Sequence, residues 1–176
     1  MEAIMNEAPV AIVTAAGQGI GAGIARELCA QGWRMVLMSP SENSQRLAKE
    51  LGCIGLAGSV TETADLETLV EKALDAYGRI DGIVNNTGPV TKGGLLDISD
   101  EEWHRCLDLV FLNVVRLARL AVPVMTRQGG GAIVNISTYS AYEPELKFPV
   151  SSALRAGLGS FTKMFSDQYG PDGIRM

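Results

Sequence analysis

Short β-branched runs alternate along this chain with longer segments of helical period. Five such runs are predicted to be strands: Pro9–Ala15, Met35–Met38, Cys53–Ala57, Ile83–Val84 and Ala132–Ser137. Continuously apolar strands separated by helices predict a parallel sheet that is covered on both faces. We therefore expect an α/β protein with a doubly wound parallel sheet in three layers, helix, sheet and helix. No linker or internal repeat divides the 176 residues, so residues 1–176 are predicted to form a single domain.

The segments between the strands carry helix start and stop signals. Ser39 is predicted to cap a helix that has Pro40 at its first position and Glu42 at its third. Ser99 and Glu102 form a capping box that opens the longest helix. The predicted helices are Gly19–Gln31, Ser39 to about Leu51, Thr61–Tyr77, Ser99 to about Met125, and Ser152–Tyr169.

Charge and metal-ligand content exclude several classes of protein. The chain has 15 Lys and Arg against 20 Asp and Glu, a net charge of −5. It therefore lacks the excess of basic residues that binding to nucleic acid or an anionic membrane would require. Its single histidine, His104, cannot form a metal site by itself. The three cysteines are odd in number and widely spaced, which favours free thiols in a reducing compartment: Cys29, Cys53 and Cys106.

Targeting signals are not evident in the sequence. Glu2 and Glu7 stand where a secretory signal would carry basic residues. Arg116 and Arg119 interrupt the most apolar stretch, Val110–Val124, which argues against a membrane span. We expect a cytoplasmic protein without membrane partners.

A glycine-rich segment, Thr14–Gly21, lies between the first predicted strand and helix. Gly17, Gly19 and Gly21 alternate within it, whereas a tight turn alone would need only one glycine. Glycines at this point let backbone amides approach a pyrophosphate, whose charge the helix N-terminus stabilises. The spacing departs from GxGxxG, because Ala22 occupies the last place when counted from Gly17. The context of strand, turn and helix predicts nucleotide binding.

Three motifs, in order, resemble those of the short-chain dehydrogenase/reductase family. They are the segment Thr14–Gly21, the sequence Asn85-Asn86-Thr87-Gly88 after the fourth strand, and Ile133–Ser137 on the fifth strand. The resemblance implies a Rossmann-type fold that binds NAD or NADP and transfers hydride between a small-molecule carbonyl and an alcohol. It also implies a set of cofactor contacts, which are Thr14, Gly17, Gln18, Gly19, Ile20, Gly21, Ser39, Ser59, Asn86, Thr87, Gly88 and Arg155.

The catalytic positions implied by the resemblance carry atypical residues. They are Asn113 for the proton-relay asparagine, Thr138 (or its neighbour Ser137) for the substrate-orienting serine, and Ser151 and Arg155 for the tyrosine and lysine of YxxxK. Serine is a far weaker acid than tyrosine, whose ordinary pKa is about 10. Arginine keeps its charge and cannot practically lose a proton. The standard Tyr–Lys proton relay therefore cannot operate here.

Three explanations remain open for the missing acid. Tyr139 or Tyr142, close after the fifth strand, could supply the proton. The substrate could need little acid help, or take its proton from water through Asn113 and Thr138. Alternatively the chain is a catalytically impaired homologue that binds nucleotide, or serves as an oligomeric interaction protein.

Cofactor choice is predicted at the end of the second strand. An acidic residue there would hydrogen-bond the adenosine ribose and favour NAD, but this chain has Ser39. Ser59 stands where the family has an adenine-contacting aspartate. Pro40 occupies the place of a phosphate-binding arginine, and Arg46 lies further along the helix. The sequence permits both cofactors with a slight preference for NADP.

Two long helices and the C-terminus complete the predictions. The helices Glu102–Met125 and Ser152–Tyr169 are apolar on more than one face, and in relatives they pair between subunits, so we expect a homo-oligomer, either a dimer or a tetramer. The sequence ends at Met176 just as a sixth strand begins. We expect the family's last strands and substrate lid to be missing from these 176 residues.

Overall fold

Six parallel strands form one sheet in the computed structural model, which describes residues 8–176; Glu2 and Glu7 lie outside the described residues. The sheet order is β3–β2–β1–β4–β5–β6. The strands are β1 Val10–Thr14, β2 Arg34–Ser39, β3 Ile54–Ala57, β4 Gly82–Asn85, β5 Gly131–Asn135 and β6 Ile174–Arg175. The α-helices are α1 Gly19–Ala30, α2 Asn43–Leu51, α3 Thr63–Tyr77, α4 Asp100–Leu107, α5 Asn113–Arg127 and α6 Pro149–Tyr169. The predicted doubly wound Rossmann-type sheet is confirmed.

Helices cover both faces of the sheet, as a parallel sheet requires. Because strand side chains alternate, Val10 and Ile12 of β1 pack on one side in a core with α3, α5 and α6. Ala11 and Val13 pack on the other side, in a smaller core with α1 and α2. Strand order reverses between β1 and β4, so the loops after these two strands open a crevice at the carboxyl edge of the sheet.

The start of α2 differs from the prediction. Ser39 is the last residue of β2, because strand pairing with β3 continues through Ser39 and Ala57. The chain then needs three residues to turn, and α2 begins at Asn43 rather than directly after Ser39. The Ser39 hydroxyl still accepts a hydrogen bond from the Ser44 amide at 3.3 Å, so it contacts the first turn of α2 from outside the helix. By contrast, the predicted cap at Ser99 is confirmed, because its hydroxyl accepts from the Glu102 amide at 3.3 Å.

The longest predicted helix is interrupted by a π-helical turn. Asp108–Leu112 forms this π turn between α4 and α5, and the three segments run without a break from Asp100 to Arg127. Contrary to the prediction, the stretch is long and apolar enough to cross a membrane by length and composition. Core helices share that property, and Leu117, Ala121 and Met125 are buried against the sheet.

The last helix begins three residues before its predicted start. Pro149 occupies its first turn, where a missing amide hydrogen costs no helical hydrogen bond. Ser151 and Arg155 are therefore both helical and lie about one turn apart on α6. After α6 the chain reaches β6, whose Ile174 pairs with Gly131 of β5.

Asp81 ties the amino ends of the central strands together. Its carboxylate accepts from the Val10 amide at 2.8 Å and from two Arg79 nitrogens at 2.7 and 2.8 Å. Burial disfavours the charged carboxylate, but the hydrogen bonds from Arg79 and Val10 outweigh that cost and lower the pKa of Asp81. A lowered pKa in the folded state means that the carboxylate stabilises the fold above its unfolded pKa of about 3.9.

We expect Asp81→Asn to lower the free energy of unfolding by about 2 kcal/mol at pH 7, since it weakens charge-assisted bonds to a part-buried group. The difference from the wild type should shrink as the pH falls below about 4, because Asp81 then becomes protonated as well. Urea denaturation at pH 7 and pH 3 measures both values. Asp75→Asn, an exposed position on α3, is the control. An equal effect of the two variants at pH 7 would contradict the role of Asp81.

Candidate functional site

Thr14 and Asn86 lock together the ends of β1 and β4, where the strand order reverses. The Thr14 hydroxyl donates to the Asn86 carbonyl at 2.7 Å and accepts from the Asn86 amide at 3.0 Å. The Asn86 side-chain amide donates to the carbonyl of Ala15 at 3.2 Å. Both side chains are buried, so these two predicted cofactor contacts shape the crevice through the backbone of its two loops.

Each glycine of the loop after β1 is required for a different reason. A Cβ on Gly21 would lie 2.4 Å from the Ala15 carbonyl oxygen, so only glycine allows α1 to pack this closely on the loop. A Cβ on Gly17 would lie 2.7 Å from both Ser39 Oγ and Asn43 Cβ. Gly19 adopts φ +55°, a left-handed conformation that glycine adopts without steric cost, and faces open space. Side chains at these three positions would clash with neighbouring atoms or strain the backbone. We call this loop, residues 15–21, the cradle.

The cradle borders a cavity of about 400 Å³ at the carboxyl edge of the sheet, which we call the first cavity. Six of the predicted cofactor contacts line it: Gly17, Gln18, Ser39, Ser59, Thr87 and Gly88. Ser39 is the last residue of β2 and Ser59 lies on the loop after β3, whereas Thr87 and Gly88 follow β4. The first cavity thus runs across the carboxyl ends of the central strands, as an extended ligand would.

A residue that the sequence reasoning did not place at this site lines the first cavity, and its contact Arg46 lines an adjoining pocket that shares Gly17 and Asn43. Asn43, the first residue of α2, lines the first cavity, and its side-chain oxygen accepts a hydrogen bond from the Arg46 guanidinium. The spacing of three residues on a helix brings the two side chains together. The sequence places Arg46 further along the helix than Pro40, and its side chain folds back to Asn43 in the first helical turn.

A second cavity, of about 660 Å³, lies between the end of β5 and α6. Ser137, Tyr142 and Arg155 line it, so Ser137 rather than its neighbour Thr138 faces this space. The Thr138 hydroxyl instead caps a short 3₁₀ turn, because it accepts a hydrogen bond from the Ser140 amide at 3.4 Å. It also lies 3.2 Å from the Ser140 hydroxyl.

Arg155 connects the two cavities. Its guanidinium donates to the Ile136 carbonyl and, at 3.3 Å, to the hydroxyl of Thr87, which lines the first cavity. Burial lowers the pKa of Arg155, and within residues 8–176 no carboxylate forms an ion pair with it. Two of the five N–H donors are accounted for by these bonds, so the others are available to a ligand.

The remaining predicted catalytic residues do not converge on either cavity. Asn113 is 2% exposed; its amide nitrogen donates to the Leu109 carbonyl, and its buried side-chain oxygen has no partner in the described part of the chain. Ser151 is buried in the first turn of α6, and no hydrogen bond of its hydroxyl is found among the described residues. Neither residue lines the first or the second cavity.

The two candidate tyrosines are in different environments. Tyr139 donates its hydroxyl to Glu145, and this hydrogen bond to a carboxylate raises the pKa of Tyr139. Tyr142 is 86% exposed and lines the second cavity together with Arg155. Geometry therefore favours Tyr142 over Tyr139 as a group that could approach a ligand there.

A parallel sheet with a switch point, a glycine cradle and a cavity across the strand ends define a Rossmann-type α/β protein. In the described part of the chain, no group of three or more His, Cys, Asp or Glu residues could hold a metal ion. Residues 9–176 match the family model described as short chain dehydrogenase. The chain belongs to the short-chain dehydrogenase/reductase family.

Two curated oxidoreductases align with nearly all of this chain. Oxidoreductase UcpA of Salmonella typhimurium is 33% identical over 175 residues, covering 94% of this chain and 65% of its own length. The 3-oxoacyl-(acyl-carrier-protein) reductase FabG of Escherichia coli is 31% identical, covering 96% of this chain and 70% of its own. The chain therefore spans about two thirds of the length of these curated relatives.

Solved structures give the same result for the fold. L-sorbose reductase from Gluconobacter frateurii, complexed with NADPH and L-sorbose, superposes with a TM-score of 0.88 at 29% identity. The match covers 96% of this chain and 66% of that one. The family thus includes proteins that bind a nicotinamide cofactor and a small carbonyl compound.

Proposed function

We propose that this chain binds NAD(P) in the first cavity and supports hydride transfer between the nicotinamide and a small carbonyl or alcohol. The observation that carries the proposal is the path along the strand ends: Ser39, Ser59 and the glycine cradle border the first cavity, and Arg155 of the second cavity donates to its Thr87. The cradle packs closely on its protein neighbours, because a Cβ at Gly17 or Gly21 would collide with them, so its backbone position is fixed beside the first cavity. Backbone amides of the cradle and the N-terminus of α1 would bind the pyrophosphate.

Arg155 is the main electrostatic group at the far end of this path. A bound nicotinamide cofactor supplies or accepts the hydride. The spare N–H donors of Arg155 would bind cofactor ribose or stabilise the oxygen that becomes negative as a carbonyl is reduced. Arginine keeps its proton, so we propose that water supplies the proton for carbonyl reduction.

Titration of the protein with NADPH and NADH, followed by nicotinamide fluorescence, tests cofactor binding directly. We expect saturable binding, and slow NADPH oxidation with at least one member of a panel of small ketones, diketones and ketoses. The absence of saturable binding to either cofactor would refute the proposal.

A second candidate is a family member that binds the cofactor without turnover. The burial of Asn113 away from both cavities and the loss of tyrosine at position 151 favour it. Saturable NADPH binding with no oxidation across the whole carbonyl panel would support this candidate over the first.

We further propose a preference for NADP. Ser39 carries no charge to repel a 2′-phosphate, and Arg46 is held beside the first cavity through Asn43. We expect Arg46→Met to weaken NADPH binding by about tenfold, the worth of one charge-assisted contact, and NADH binding by less than twofold. Lys49→Met, an exposed change on the same helix, is the charge-matched control and should leave both affinities unchanged. Equal losses for NADPH and NADH in Arg46→Met would contradict the assignment.

The outer groove between α5 and α6 supports the proposed homo-oligomer. It has a volume of about 520 Å³ and is lined by Val122, Phe161 and Met164, of which Met164 is 63% exposed. An exposed apolar surface of this kind is typical of a protein interface. Molar mass measured by light scattering in solution tests this proposal.

A further inference from the structure

Arg116, on α5, bridges two segments that are far apart in the sequence. Its Nη2 donates to Asp108 Oδ1 at 2.6 Å, and its Nη1 donates to the Thr61 carbonyl at 3.4 Å. Asp108 begins the π turn before α5, and Thr61 belongs to the loop between β3 and α3. The side chain of Arg116 lines neither the first nor the second cavity.

Both segments form walls of the first cavity directly beside the bridged residues. Leu109, the neighbour of Asp108, lines the cavity from the π turn. Ser59 and Val60, immediately before Thr61, line it from the β3–α3 loop. The bridge made by Arg116 therefore sets the separation of two walls at the end where Ser59 lies.

The other hydrogen bonds of the β3–α3 loop do not connect it to the π turn, so Arg116 makes that connection. The Ser59 amide donates to Asp65 at 2.8 Å, and the hydroxyls of Ser59 and Thr61 lie 2.8 Å apart, so the loop is braced internally and toward α3. The contact from Arg116 to Thr61 links this loop to the π turn. A planar guanidinium can donate to two acceptors at once in fixed directions, which a lysine cannot do.

We propose that Arg116 is a positioning residue that holds the π turn and the β3–α3 loop in the separation that the adenosine half of the cofactor requires. This inference rests on the proposed function, since it assigns the Ser59 end of the first cavity to adenosine. Arg116 does not contact the cofactor; it acts by holding the two walls of the first cavity in position. Its loss is expected to widen the cavity at that end.

Binding of ADP, measured by isothermal titration calorimetry, tests the inference. We expect Arg116→Met and Asp108→Asn each to weaken ADP binding by about fivefold. Because both variants act on the same bridge, which Arg116→Met removes and Asp108→Asn weakens, the double variant should bind ADP no more than twofold more weakly than Arg116→Met. Arg116→Lys keeps the charge but cannot hold both partners, so its affinity should fall between those of the wild type and Arg116→Met.

Amide hydrogen exchange separates positioning from general destabilisation. Exchange should accelerate in residues 58–62 of Arg116→Met, with β1 and β2 unchanged. Arg127→Met, an exposed change at the end of the same helix, should alter neither ADP affinity nor exchange. Should Arg116→Met fail to fold, Asp108→Asn carries the same test, because it keeps the side-chain shape and removes the charge.

The outcomes distinguish this inference from the proposed function. Wild-type protein that binds neither ADP nor NADPH would overturn both. Wild-type protein that binds ADP, together with Arg116→Met and Asp108→Asn variants of unchanged ADP affinity, would overturn the positioning role and leave the proposed function intact. Additive losses in the double variant would also overturn it.

Discussion

Replacing Gly21 by alanine should greatly weaken cofactor binding and destabilise the fold. The added Cβ would lie 2.4 Å from the Ala15 carbonyl oxygen and 2.8 Å from the Asn86 side-chain nitrogen. These neighbours belong to the two loops that Thr14 and Asn86 lock together, so relief of the clash must distort the cradle. We expect the free energy of unfolding to fall by about 3 kcal/mol, as in other overpacked sites. NADPH affinity should fall by about 100-fold, because the loop amides move away from the pyrophosphate.

Gly23 provides a matched control two residues along the same helix. It is exposed, and a Cβ built on it meets nothing within 4 Å. Gly23→Ala should therefore raise the free energy of unfolding by about 1 kcal/mol, the helix propensity difference, with cofactor affinity unchanged. Urea denaturation and NADPH fluorescence titration measure both variants. If Gly21→Ala bound NADPH as tightly as Gly23→Ala, the cradle would not be the cofactor site.

Restoring the family's tyrosine and lysine should produce the largest gain in activity. The double variant Ser151→Tyr with Arg155→Lys returns an acid with a pKa near 10 and an ammonium one turn away to lower it. General acid catalysis of this kind is worth about 100-fold or more, so the rate of carbonyl reduction should rise by about that factor. Ser151 is buried and lines neither cavity, so the gain requires the tyrosine ring to extend from the first turn of α6 to the second cavity.

Two controls isolate the proton donor in this experiment. Arg155→Lys alone tests the charge change, and Ser151→Phe with Arg155→Lys supplies the size of tyrosine without its hydroxyl. Neither control variant should show the increased rate of carbonyl reduction. An unchanged rate in the Tyr–Lys variant, with NADPH still bound, would mean that the acid is not the limiting feature of this site.

Local signals predicted the architecture well because they act over a few residues. The apolar strand runs placed all five predicted strands, and the capping box at Ser99 located the start of α4. Ser39 shows where such signals fail. It has the residue type of a helix cap, but pairing of β2 with β3 keeps it in the strand, and cross-strand hydrogen bonds cannot be read from neighbouring residues.

The sequence predicted residues that line the first cavity, but it did not predict where the candidate catalytic residues lie. Gly17, Gln18, Thr87 and Gly88 line the first cavity because strand-to-helix loops of a parallel sheet all open at one edge. The placement of Asn113 is different. A helical position specifies the direction of a side chain only once the π turn and the packing of α5 are known, and these bury Asn113 away from both cavities.

The order of apolar runs and glycines in the sequence determined the class of fold, the crevice and the loop that faces it, because hydrophobic period and glycine conformation are local properties. Tertiary structure decided which side chains meet: Arg155 with Thr87, and Arg116 with Asp108 and Thr61. The two pairs that span the fold, from Arg155 to Thr87 and from Arg116 to Thr61, join residues more than fifty positions apart. Contacts at that separation arise only when the packed sheet and helices bring distant segments together.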